Sequence, residues 1–275
     1  MDTKKIKYKW YLIGSVVIIG TIFTLLYVIF WSTIQYSLTQ LPNTMLSVIA
    51  SLIRIVVLGI MSLLLFIKWF KQEAIYTSDA YFLFAVFFMI LTCGKILDLH
   101  YNLLLVSELL DDTFLLVFLK IRFFLIIFNL LPVLYIGLQA IMAIARAYIK
   151  EMSESRFNKI RSWILYIFAA VFSIIIVLAT NISSLITVLP FFTILIYILL
   201  AIMFLFMYKN KHLSQANGLI IGIAFFAFIV SNIFRSIMSV YALDNPSIFF
   251  IIEGVDILVN FLMFIGFIRK PKYAV

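Results

Sequence analysis

Cysteine occurs once in the 275 residues, histidine twice and proline five times. The single thiol, Cys93, excludes an intrachain disulfide framework and a cysteine-rich metal centre. It sits in an apolar run and reads as a small packing residue. Charge is scarce as well: Asp, Glu, Lys and Arg make up 12% of the chain, against roughly 25% in soluble domains. Also missing are a Gly-rich phosphate loop, an H-E-x-x-H pair, a nucleophile elbow and any Cys/His constellation. No catalytic residue, metal or cofactor is therefore expected.

What fills the chain is hydrocarbon. Eight apolar runs cover residues 10–31, 45–67, 80–103, 123–145, 162–180, 191–208, 219–241 and 248–268. Most approach the ~20 residues that carry a helix across a ~30 Å hydrocarbon layer. The expected fold is an all-α polytopic transmembrane bundle of eight helices, a single integral membrane domain with the lipid bilayer as its first partner. The lysine-rich start resembles a signal peptide, but the first run is too long and lacks a small-residue cleavage site; a retained first helix is expected.

Charge fixes the expected orientation. Lys4, Lys5, Lys7 and Lys9 precede the first run, and the connection from Ser32 to Thr44 has no charge. Lys68 and Lys71 follow the second run, the acidic Glu108, Asp111 and Asp112 the third. Arg146 to Arg161 is basic, Asn181 to Leu189 neutral, Lys209 and Lys211 basic again; Asp244 stands alone, and Arg269, Lys270 and Lys272 end the chain. Lys and Arg thus occupy every second connection, which places both termini in the cytoplasm. The same distribution accounts for the net charge of +9 without nucleic acid. Within this frame, Arg146–Arg161 reads as an extension of the fourth helix, and Pro190 as the start of the sixth. Pro132 falls inside the fourth. Gly218 and Gly222 form a G-x-x-x-G pair suited to close helix contact. Asn181-Ile182-Ser183 is a sequon, a weak signal.

The informative residues are the charges inside the runs: Arg54, Lys95, Asp98, Lys120, Arg122, Arg235, Glu253 and Asp256. Each costs about 2.5–3.5 kcal/mol at the bilayer centre on insertion scales, so partners or water are required. At about 1.5 Å per residue, all eight fall in the outer half or at the midplane. They also share helix faces with other polar groups, since side chains three or four apart coincide. Thr92, Lys95, Asp98 and Asn102 form one stripe, Glu253, Asp256 and Asn260 another; Asn232, Arg235, Ser236 and Ser239 cluster in the seventh helix, and Ser47, Ser51 and Arg54 in the second. Arg122 aligns with Asn129, whereas Lys120 points elsewhere and reads as a snorkelling residue.

Arg54 and Arg235 are the expected partners of Glu253 and Asp256, because a guanidinium fork matches a carboxylate. Lys95–Asp98 offers an intrahelical pair. Cations exceed carboxylates, which biases the site toward a small anionic ligand. The expected site is an outward-facing polar pocket holding Arg54, Lys95, Asp98, Arg122, Arg235, Glu253, Asp256 and Asn260. His100 is read as an interfacial residue and His212 as a solvated loop residue. The layout resembles, in architecture alone, sensor input modules of prokaryotic membrane proteins. It implies an integral, multi-pass position in a prokaryotic cell membrane and a membrane or cytoplasmic partner that supplies the output. The competing readings are a secondary transporter using carboxylate coupling and a structural subunit locked by charged pairs.

Overall fold

The computed structural model describes residues 3–40, 44–148, 153–211, 213–242 and 247–274. His212, Lys150 and Asp244 lie outside the described residues. Nine α-helices occur among them: α1 (Thr3–Ile29), α2 (Trp31–Gln40), α3 (Thr44–Phe70), α4 (Ala80–Ser107), α5 (Asp112–Tyr148), α6 (Glu154–Leu178), α7 (Ile182–Lys209), α8 (Gly218–Ala242) and α9 (Ser247–Ile268). All except α2 are long and apolar enough to cross a membrane. The chain is a multi-pass, membrane-like helical bundle.

Helix neighbours define a ring. α3 packs on α4, α4 on α5, α5 on α7, α7 on α8, α8 on α9, and α9 returns to α3. α6 leans on α5 from outside, while α1 and α2 lie against α4. The outer position of α1 follows from its sequence, which has no polar stripe to hide between Trp10 and Ile29. No residue of its apolar stretch is buried.

The two ends of the ring differ in chemistry. Lys5 Nζ donates to the Gln72 carbonyl (2.6 Å) and Lys68 Nζ to the Ile268 carbonyl (3.0 Å). Tyr273 donates from its hydroxyl to Leu213 O at 2.9 Å. These bonds gather the start of α1, the ends of α3 and α9, and the α7–α8 connection at one basic end. Above it aromatic rings fill the space between α4 and α9. Phe84, Phe87 and Phe88 of α4 meet Phe267 of α9, all under 2% exposed, with Phe84 and Phe267 stacked at 3.7 Å.

Lipid gives helices no hydrophobic reason to associate, so close backbone approach and polar contacts decide which pairs form. The Gly218/Gly222 pair does the former. A Cβ at Gly218 would lie 2.6 Å from Phe204 O, and one at Gly222 would lie 2.7 Å from the Leu205 side chain. Gly266 is equally tight against Ile221, and its carbonyl accepts from Asn217 N at 2.7 Å. α7, α8 and α9 are thus pinned together near the basic end.

Several sequence expectations need correction. The uncharged connection after the first run is largely helical: α2 follows α1 across Phe30, and Ser37 Oγ donates to Leu103 O at 2.7 Å. The basic stretch after the fourth run is not one prolonged helix: α5 is described to Tyr148, Ser153 caps a new helix by accepting from Arg156 N, and Arg156, Lys159 and Arg161 belong to α6. Pro190 lies inside α7, eight residues beyond its first residue, Ile182. Asn181 forms the cap there, its Oδ1 accepting from Ser184 N at 2.8 Å. Pro132 is inside α5 as expected.

Candidate functional site

Each charged side chain reaches its place by helical spacing. On α9, Glu253, Asp256 and Asn260 share the face turned into the ring and are 5%, 4% and 0% exposed. Arg54 comes from α3 on one side. From the other, Ser231 and Arg235, four residues apart on α8, approach as neighbours on one face. Lys95 enters from α4. Four side chains from three helices therefore meet around the two carboxylates of α9.

The contacts interlock. Arg54 Nη1 donates to Asp256 Oδ2 (2.5 Å) and Glu253 Oε2 (3.1 Å). Lys95 Nζ donates to Glu253 Oε1 at 2.6 Å. Arg235 binds Asp256 through Nε (3.0 Å) and Nη2, and Glu253 Oε1 through Nη1 (3.3 Å). Ser231 Oγ donates to Asp256 Oδ1. Asn260 Nδ2 donates to the main-chain carbonyl of Asp256 at 2.7 Å, which steadies the turn bearing that carboxylate. Three cations face two anions, so one positive charge is in excess. An isolated buried ion would cost several kcal/mol, and a shared cluster offsets this through mutual attraction and hydrogen bonds.

Asp98 and Arg122 form a second pair, α4 to α5. The intrahelical Lys95–Asp98 pairing does not occur. Residues three apart diverge by about 60° around a helix axis; Lys95 turns to α9 and Asp98 to α5. Lys120 is outside the cluster and donates to Val177 O at 3.0 Å, at the end of α6.

A cavity of about 400 Å³ opens beside these groups. Its wall carries Arg54, Lys95, Arg122 and Arg235 against only Asp98 and Asp256. Glu253 and Asn260 lie behind that wall. Asn129 and Asn232 add amides, and the remainder is largely aliphatic or aromatic, including Leu91, Ile126, Ile194 and Phe228. Most wall residues lie in the half of their helix away from the basic end, and Ile90, Leu91 and Phe228 reach just past mid-helix toward it. No family model, characterised protein or solved structure matches the chain.

Sequence reasoning missed one wall. α7 contributes Ile186, Pro190, Thr193, Ile194 and Tyr197, yet it bears no ionisable group between Ile182 and Ile196 that would have drawn notice. His100 is a clear correction. It is fully buried rather than interfacial, boxed by Tyr27, Phe30 and Phe118 at ring distances of 4.7, 5.6 and 5.3 Å. Neither ring nitrogen has a hydrogen-bond partner among the described residues. α1 and α2 fold over that part of α4, which no local periodicity could announce.

Proposed function

We propose that the protein is a ligand-responsive membrane module whose cavity takes up a small anionic molecule from the side opposite the basic end. The supporting observation is the cavity wall, with four cations and two carboxylates. In an apolar bundle such an excess favours a negatively charged occupant. By the positive-inside rule the basic end is cytoplasmic, both termini included, and the cavity faces outward. The aromatic packing of Phe84, Phe87 and Phe88 on Phe267 nearer the basic end supports sensing over conduction, since a path through the bundle would need polar lining there too. A partner in the membrane or cytoplasm would carry the output.

Gly94 supplies the test. It lies on the cavity wall, and a Cβ there would meet nothing within 4 Å. Gly94→Leu fills the space while leaving all charges in place. Purified protein in nanodiscs is expected to bind members of a panel of small carboxylates and phosphates by calorimetry, and Gly94→Leu to lose that binding with a melting temperature close to wild type. Binding unaffected by Gly94→Leu would place the anion elsewhere. Uptake of the bound anion into proteoliposomes would favour the transporter reading instead.

A further inference from the structure

Four cations line the cavity, but they are not equivalent. Arg54 and Lys95 are 8% and 6% exposed and are committed to Glu253 and Asp256. The side chain of Arg235 is 32% exposed and that of Arg122 is 34% exposed. Among the described residues, Arg122 is the one ion-pair partner of Asp98, so removing it would strand that carboxylate. Arg235 is different. Without it, Asp256 keeps Arg54 and Ser231, and Glu253 keeps Arg54 and Lys95. Arg235 is the cation the cluster can release.

We infer that the cavity is a site for a monocarboxylate with an aliphatic or aromatic body, and that Arg235 anchors the carboxylate by leaving Glu253 and Asp256. This rests on the reading of the cavity as an anion site and adds the ligand class and the anchor. Three features set the class. The ion groups of the cavity and its backing (Arg54, Lys95, Arg122 and Arg235 against Asp98, Glu253 and Asp256) leave one positive charge uncompensated, which one carboxylate neutralises and a phosphate dianion overshoots. A planar guanidinium matches a carboxylate through two parallel hydrogen bonds. Leu91, Ile126, Ile194 and Phe228 suit hydrocarbon, and 400 Å³ lies at the small end of ligand pockets, too small for a two-chain lipid.

The exchange has a mechanical consequence. Near the basic end α8 and α9 are pinned by Gly266 against Ile221 and by the Asn217–Gly266 hydrogen bond. At the cavity end, Arg235 and Ser231 tie α8 to α9 through the carboxylates. Withdrawing Arg235 loosens one end only, so α8 swings about the glycine contact.

The experiment uses the full chain in nanodiscs with 3-phenylpropionate, its neutral analogue 3-phenylpropanol, and phenyl phosphate. Spin labels at Ile237→Cys and Ile251→Cys, both exposed, in a Cys93→Ser background report the α8–α9 separation. Expected are binding of 3-phenylpropionate at least tenfold tighter than the alcohol or phenyl phosphate, and a lengthened label distance on binding. Arg235→Gln should weaken the carboxylate at least tenfold, and Arg235→Lys should recover part of it. Wild-type affinity in Arg235→Gln would overturn the anchor, and tighter binding of phenyl phosphate would overturn the class; both leave an anion cavity standing. An unchanged label distance with the carboxylate bound would overturn the exchange. Failure of every anion to bind would overturn the cavity reading itself.

Discussion

Glu253 is the residue on which the charge cluster depends most. It holds Arg54, Lys95 and Arg235 at once, so Glu253→Gln leaves cations in a low-dielectric interior without their counter-charge. Breaking a buried pair from one side costs about 3–5 kcal/mol, and a large drop in melting temperature is expected in detergent or nanodiscs. Arg235→Gln should cost much less, because each carboxylate retains partners. The two substitutions should be strongly non-additive, as residues in one network are; additive losses would mean that Arg235 and Glu253 are not coupled. His100 makes the opposite case. Its nitrogens are buried in an aromatic box without hydrogen-bond partners among the described residues, and an unmade hydrogen bond costs about 1–3 kcal/mol. His100→Phe is therefore expected to raise the melting temperature, and a marked fall would reveal a polar partner for the ring.

Among the elements, α8 is set by glycine at one end and by charge at the other. Gly222→Val should destabilise the protein severely, since even a Cβ would press on Leu205 and stand 3.0 Å from Ala201 O. Gly94→Val should be tolerated, because its Cβ points into open space. Comparing their melting curves checks both; equal loss would contradict the packing described. The same contrast explains what could be read without coordinates. Helix faces carrying ionisable groups were legible, because a charge in an apolar run is costly and periodicity assigns it a side. Arg54 and Arg235 could be matched to the α9 carboxylates on chemistry alone. The partner of Asp98 could not, since it depends on which helix stands beside α4. The α7 wall was silent for want of a charged residue. α2 was hidden by its length: ten residues cannot cross a membrane, so no run announced it.

At the scale of the whole molecule, the bilayer makes the crossings legible, and the ring order lies beyond that information. Eight runs fix eight helices, yet nothing local states that α6 stands outside while α7 closes the ring. The ring order matters because it brings the charges of α3, α4, α5, α8 and α9 into one crevice. That crevice should be electropositive and reachable from one side. Asn232 lies on its wall, and Asn232→Cys in a Cys93→Ser background converts it into a reporter. The decisive measurement is the rate at which membrane-impermeant anionic and cationic methanethiosulfonate reagents label this thiol in intact cells and in inside-out vesicles. The expected result is labelling from the outside only, the anionic reagent reacting several-fold faster. Labelling from the cytoplasmic side, or faster reaction with the cationic reagent, would contradict an outward-facing anion crevice.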